Sequence, residues 1–220
     1  MIQDMKRQKK RLILCLTGMP GAGKSTVAQS LKEKGFAVIS MGNIIREEAK
    51  RQNLEPTDNN LGKLMLKLRE NLGSAAVAHL ILRKVENEVG RGNDVGNNTN
   101  AGNSIVIDGI RNISEVRVLE TIGCVKLLAI HASTDTRFKH IKKRSRSDAP
   151  SRLDDFATRD RRELTVGISE AIALADETLS NNNLTIGELK EKAFIIVQKW
   201  VDELYDTDRI KDKYVDLNNK

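Results

Sequence analysis

The stretch from Leu12 to Leu31 constrains this chain more than any other. Leu12-Ile13-Leu14-Cys15-Leu16 is an unbroken apolar run of the kind that makes a short buried strand. Gly18-Met19-Pro20-Gly21-Ala22-Gly23-Lys24-Ser25 follows, and Val27, Ala28 and Leu31 then recur at helical spacing. A glycine, four residues and Gly-Lys-Ser between a strand and a helix is the phosphate-binding loop pattern. Glycines let consecutive backbone N–H groups turn inward into a nest for phosphate oxygens. The helix that opens near Ser25 adds the positive end of its dipole. In such a loop Gly18, Met19, Pro20, Gly21, Ala22, Gly23, Lys24, Ser25 and Thr26 surround a triphosphate. Lys24 reaches the β- and γ-phosphates and the Ser25 hydroxyl ligates Mg²⁺. A plain glycine turn is the weaker reading, because the motif sits in the strand-to-helix context that confirms it. The expected cofactors are ATP and Mg²⁺.

Other segments extend the pattern. Phe36 to Ile39, Ser104 to Asp108 and Val125 to Ile130 read as further short strands, and Glu177 to Ser180 as a fifth. Continuous apolar runs such as Ser104-Ile105-Val106-Ile107-Asp108 belong to parallel sheets covered on both faces. Between them lie helical stretches: Ile44 to Ala49, a segment after the Pro56-Thr57-Asp58-Asn59 turn, Ala75 to Val89, Ser114 to Thr121 capped by Ser114, Thr134 to Arg146, Leu153 to Leu164 and Gly167 to Ala175. Ile186 to Tyr205 closes the series. Strands alternating with helices give an α/β fold with a five-stranded parallel sheet and helices on both faces, that of a P-loop NTPase.

A chain of 220 residues is one domain with room for a sizeable core. The expected organisation is a basic lead-in at 1–11, a nucleotide-binding domain at 12–205 and a charged tail at 206–220. Residues 90–103, rich in Gly and Asn without apolar periodicity, read as a disordered surface insertion. The net charge of +7 suits an acidic ligand, a nucleotide or a CoA ester, although a solvated basic surface would give the same balance. Interleaved aromatics are almost absent, which argues against single-stranded nucleic acid as a partner. Cys15 and Cys124 each open or sit in an apolar run and read as small buried hydrophobes rather than a disulfide or metal pair. The basic N-terminus is followed by too short an apolar run for a signal peptide or a membrane span, so a cytoplasmic location without a membrane partner is expected.

Beyond the loop, Asp108 ends a buried strand and is followed by Gly109-Ile110-Arg111. A carboxylate at the carboxyl end of a central strand is where a P-loop enzyme holds Mg²⁺, and an Arg three residues on can clamp a phosphate with two parallel hydrogen bonds. Ser25 and Asp108 are therefore the candidate metal residues.

Taken in order, the P-loop, Ser40-Met41-Gly42 with Arg46, and Asp108-Gly109-Ile110-Arg111 resemble adenylate kinases and related nucleoside monophosphate kinases. More closely, the chain resembles an uncharacterised archaeal family related to adenylate kinase, over about Leu12 to Val197. The resemblance implies that Ser40 and Gly42 open an acceptor-binding helix within a region at 40–89. It implies that Arg46 and Arg111 grip the acceptor phosphate. Arg144-Ser145-Arg146 resembles the lid segment of a region at 137–163, with a second lid arginine supplied by Arg159, Arg161 or Arg162. Lys24, Asp108, Arg144, Arg146 and Arg159 are then the catalytic set. The family pattern departs at two places: the Pro of Asp-Gly-x-Pro-Arg is gone, and Glu115 stands where adenylate kinases use a Gln to read adenine. A carboxylate only accepts hydrogen bonds, so Glu115 is expected to face the cleft and read an N–H-bearing base edge or order an acceptor hydroxyl. Ala175-Asp176 and Asn181 resemble the last strand and turn of dephospho-CoA kinases.

Three readings follow. The first is a kinase moving the γ-phosphoryl of ATP to a small phosphorylated acceptor, most simply a nucleoside monophosphate. The second is dephospho-CoA kinase, with Asp108 or Glu115 as base. The third is a nucleotide-dependent regulatory or RNA-binding protein with little turnover. A small-molecule partner and a monomer or homodimer fit the first.

Overall fold

The computed structural model describes residues 11–90, 104–143 and 152–218, with side chains described as far as residue 86 and again from 104 to 204. The expected lead-in, most of the Gly/Asn-rich insertion and the Arg144-Ser145-Arg146 segment lie outside those residues.

Five strands form one parallel sheet: β1 (Leu12–Thr17), β2 (Ala37–Ser40), β3 (Ile105–Ile110), β4 (Cys124–His131) and β5 (Glu177–Ser180), in the order β2-β3-β1-β4-β5. The helices are α1 (Lys24–Glu33), α2 (Met41–Arg51), α3 (Asp58–Leu72), α4 (Ala76–Gly90), α5 (Ile113–Leu119), α6 (Thr134–Lys142), α7 (Leu153–Val166), α8 (Ile168–Ala173) and α9 (Ile186–Asn218). The final helix runs through much of the segment expected as a charged tail.

Alternation along β1 explains the two layers of core. Leu12, Leu14 and Leu16 join Val27 and Leu31 of α1 and Leu189, Val197 and Trp200 of α9 on one face. Ile13 and Cys15 join Ile44 and Ile45 of α2, Ile81 of α4 and Leu119 of α5 on the other. A strand covered on both faces favours apolar residues throughout, which is why β1 reads as an apolar run from Leu12 to Leu16 before Thr17 at its end. Cys124 departs from expectation: it is exposed, because β4 begins at the sheet's rim, whereas Cys15 is fully buried.

The register between β1 and β3 shifts at one place. Leu16 faces Asp108, but Thr17 faces Ile110, so Gly109 is an extra residue with φ 105°. A bulge of this kind re-aims neighbouring side chains and is common beside active sites. Ile110 is thereby kept on the buried face shared by Ile105 and Ile107, and the Thr17 hydroxyl donates to the Ile110 carbonyl at 2.9 Å. Asp108 is left at the strand end toward α1.

Two expected helix starts are corrected by their caps. The helix after β3 is capped by Asn112, whose Oδ1 accepts from the Glu115 amide at 2.9 Å, and not by Ser114. The α2 helix begins at Met41, directly after β2, with no intervening turn. The Thr57 hydroxyl caps α3 through the Asn60 amide, as the turn sequence suggests.

Candidate nucleotide and phosphate site

The loop after β1 is shaped by positive φ angles that only glycine adopts without strain. Gly18 has φ 137°, and a Cβ there would lie 2.1 Å from the Ile130 carbonyl oxygen. Gly21 has φ 83°, and a Cβ there would lie 2.6 Å from the Arg137 carbonyl oxygen. The loop is thus pressed against β4 and α6 with no room for a side chain.

Each loop carbonyl from Gly18 to Ala22 accepts a hydrogen bond from a side chain. Lys24 Nζ donates to Gly18 O and Met19 O, Arg137 Nη1 to Pro20 O at 3.1 Å, and Asn181 Nδ2 to Ala22 O at 2.8 Å. The Gly21 carbonyl accepts from His140 Nδ1 at 2.9 Å, which fixes that proton on Nδ1. With its carbonyls committed to these side chains the loop is held in one shape, and free backbone N–H groups of such a glycine turn can form an anion nest. Arg137 is itself gripped by Asp160 through two bonds of 2.9 and 2.6 Å and lies over the Phe156 ring, so α7 backs α6. Asn181 is placed by its own amide, which donates to the His131 carbonyl at 2.7 Å. Sequence reasoning did not single out Arg137. Asn181 entered it only through the resemblance to the last strand and turn of dephospho-CoA kinases.

A cleft of about 500 Å³ opens in front of the loop. Gly18, Pro20, Gly21, Lys24 and Ser25 of the loop line it together with Ser40, Gly42 and Arg46 and with Asp108, Arg111 and Arg159. The candidate ATP, metal and acceptor residues therefore meet at one cavity. Met19, Ala22, Gly23 and Thr26 do not line it; Ala22 and Gly23 are buried behind the loop. Of the candidate lid arginines, Arg159 faces the cleft, Arg161 is exposed, and Arg162 is tied to Asp58 of α3 by bonds of 3.0 and 2.9 Å. Arg144 and Arg146 lie outside the described residues.

Asp108 is 9% exposed, and its Oδ1 has no hydrogen-bond partner among the described residues. A buried, unpaired carboxylate oxygen beside a P-loop is a site shaped for a cation, and with Ser25 lining the same cleft the two residues are of a type that fits Mg²⁺. The loop nest and Lys24 fit the phosphates of ATP on the same grounds.

Glu115 is not in the cleft. It is fully buried; Oε1 accepts from Arg69 Nη2 at 2.6 Å and Oε2 from the Arg111 amide at 2.8 Å. The Asn112 cap turns the first turn of α5 inward, so this carboxylate clamps α3 to the start of α5 and reads no ligand. The glutamate that does face the cleft is Glu163 of α7, which sequence reasoning missed. It is 3% exposed and accepts from Arg111 Nε at 2.6 Å. Burial, the largest influence on it, pushes its pKa up. The charge and hydrogen bond of Arg111, with Lys24 and Arg159 nearby, outweigh that and hold the carboxyl below its usual range. Burial also works against the Arg111 charge, but Glu163, Glu115 and Asp108 overcome it and raise that guanidinium.

A glycine loop between a central strand and its helix, an acidic neighbouring strand end and a parallel sheet in this order define a P-loop NTPase domain. A family profile described as the AAA domain matches residues 17–157, and the chain belongs to that family. Within it the chain belongs with the archaeal UPF0200 proteins. That of Pyrococcus abyssi is 38% identical over 191 residues, 86% of this chain and 96% of its own length. That of Methanocaldococcus jannaschii is 38% identical over 170 residues, 77% of this chain and 81% of its own. Among solved structures, TT1252 from Thermus thermophilus superposes with a TM-score of 0.61 at 21% identity, over 87% of this chain and 98% of that one. Shikimate kinase from Acinetobacter baumannii in complex with shikimate does so at 0.50 and 15% identity, over 90% and 98%. At such identities the likeness is one of fold. Among the described residues no helix is long and apolar enough to cross a membrane.

Proposed function

We infer that this protein is an ATP-dependent phosphotransferase that moves the γ-phosphoryl group to a small phosphorylated acceptor, of the nucleoside monophosphate class. The observation that carries this reading is the single cleft in which Lys24, the unpaired Asp108 oxygen, Arg46 and Arg111 converge. The loop N–H groups and Lys24 hold the β- and γ-phosphates. Ser25 and Asp108 hold Mg²⁺, which neutralises charge on the transferring group. Arg46 of α2 and Arg111 after β3 come from different segments and hold the acceptor phosphate from two sides, with Arg159 adding charge at the transferring group. A phosphate acceptor needs no strong base, so positioning and charge neutralisation are the work required of the protein. The domain acts with these roles in one body: 40–89 as acceptor region and 137–163 as lid.

The test is an ATP-consumption screen of the purified chain against the nucleoside monophosphates and dephospho-CoA in Mg²⁺. Turnover with a monophosphate supports the reading. Turnover with dephospho-CoA alone would move the acceptor to a ribose hydroxyl. No transfer, with RNA binding that weakens steeply in salt, would overturn it in favour of a regulatory nucleotide switch.

A further inference from the structure

Glu163 stands between two of the cleft's cations. On its own helix Arg159 is one turn back, and from the segment after β3 Arg111 gives it the Nε–H at 2.6 Å. The seating of α7 that makes this possible is local. Gly167, with φ 105°, ends α7 against the Arg111-Asn112 backbone; a Cβ there would lie 3.4 Å from Asn112 Cβ and 3.8 Å from the Arg111 carbonyl. One turn before that contact, Glu163 is delivered to the guanidinium. The orientation of the pair is specific. Glu163 takes the Nε edge, Nη1 reaches only toward Gly109 O at 3.4 Å, and Nη2 makes no hydrogen bond among the described residues.

A guanidinium has two edges that can hold an oxyanion pair: Nε with one Nη, and the two Nη together. We propose that Glu163 is a positioning residue for the acceptor: by taking the Nε edge of Arg111, it commits the Nη edge to a phosphate in the cleft. The inference rests on the phosphotransferase reading for the identity of that phosphate, but not for the arrangement of the pair. Without Glu163, Arg111 would be a long side chain with several rotamers in a polar cavity, and its fork would be ordered only on binding.

The competing account is that Glu163 merely offsets positive charge beside Lys24, Arg111 and Arg159. The two differ in what substitutions do to anion affinity. Glu163→Gln keeps an oxygen for Nε–H but removes the charge, while Glu163→Asp keeps the charge but withdraws it by one methylene. Inorganic phosphate is titrated calorimetrically with the P-loop filled by ADP, the component lost in Arg111→Ala being the one read. Positioning predicts affinity near wild type in Glu163→Gln and about tenfold weaker in Glu163→Asp and Glu163→Ala. Charge offset predicts Glu163→Asp near wild type and tighter binding in both Glu163→Gln and Glu163→Ala, which would overturn the proposal. In turnover, the same two weakened variants should show a raised acceptor KM while the KM for ATP moves less than about twofold. A parallel loss of ATP affinity would mark Glu163 as a fold residue and also overturn the proposal. If the wild-type chain transfers to no acceptor, the proposed activity fails, and the phosphate affinities still decide the role of Glu163.

Discussion

Asp108→Asn separates the metal role of this residue from a merely structural one. The side chain is 9% exposed and its Oδ1 is unpaired, so that oxygen makes no hydrogen bond in the ligand-free fold and its burial costs about 1–3 kcal/mol, against which stands the carboxylate's attraction for the Arg111 guanidinium. The amide fills the same volume without the charge and gives up both effects, so the ligand-free variant should melt near the wild-type temperature. With Mg²⁺ and ATP the two should separate, the wild type higher. Removing a carboxylate that supports a metal lowers affinity about 10–100-fold. At ligand about 100-fold above the wild-type Kd, the wild type gains about 2.7 kcal/mol; the variant gains about 0.4–1.4 kcal/mol. The lost increment of about 1.3–2.3 kcal/mol corresponds to about 3–9 °C for a domain of this size. Differential scanning fluorimetry of both proteins, with ATP in EDTA and ATP in Mg²⁺, reads this directly. An equal Mg²⁺-dependent shift in the two proteins would refute the assignment and leave Asp108 as a strand terminus.

Four further outcomes are expected. Lys24→Ala should lose about 3 kcal/mol or more of transition-state stabilisation, roughly a hundredfold or greater fall in kcat/KM, with far-ultraviolet circular dichroism unchanged. Gly18→Ala would set a Cβ 2.1 Å from the Ile130 carbonyl oxygen at φ 137°, so nucleotide binding followed by fluorescent-ATP titration should be abolished and the urea midpoint lowered. Glu115→Gln leaves the buried Arg69 without its countercharge and should cost about 3 kcal/mol in urea unfolding while leaving acceptor preference unchanged; a switch of acceptor would return Glu115 to the cleft. The Glu163 carboxyl titrates below its ordinary value of 4.5 in the folded protein, so its pair with Arg111 stabilises fully above that value and is lost as pH falls through the lower folded one. The stability difference between wild type and Glu163→Gln should accordingly be constant near neutrality and shrink below about pH 4.5 in pH-dependent urea melts.

The parts of the site legible in the sequence were those in which chemistry and local backbone are written in consecutive residues. Gly18 to Ser25 is such a part, and so is Asp108 followed by a glycine that the β3 bulge requires. Parallel pairing and two-faced burial followed from the unbroken apolar runs of β1 and β3, whereas the order of the strands did not. Glu115 and Glu163 were misjudged for one physical reason. Each acid lies on a helix of mixed charge, and its direction depends on a rotation set elsewhere: by the Asn112 cap for α5, and by Gly167 against Arg111 for α7. A signal for Glu163 did exist. Phe156, Arg159, Asp160 and Glu163 recur at helical spacing, so a charged helix with one buried aromatic presents its acids and bases on the inner face as well as the outer.

The carbonyls of the loop show why α6 and α7 must matter to the shape of the loop even though they lie outside it. An anion nest needs N–H groups facing one way, and a peptide plane that turns its N–H inward turns a neighbouring carbonyl outward. Those carbonyls cannot be left dry and unpaired, since each would cost about 1–3 kcal/mol. Here the partners of Pro20 and Gly21 come from α6, and that of Ala22 comes from the residue after β5. Arg137 is held in turn by Asp160 of α7, the helix that also carries Arg159 and Glu163 into the cleft. The helix behind the phosphate loop and the helix that lines the cleft with Arg159 and Glu163 are therefore joined by one partly buried ion pair. Any rotation of α7 that moves Glu163 relative to Arg111 also loads the Arg137–Asp160 pair, and through it the Pro20 carbonyl. Asp160 thus ties the helix that carries Arg159 and Glu163 to the Pro20 carbonyl of the phosphate loop through Arg137.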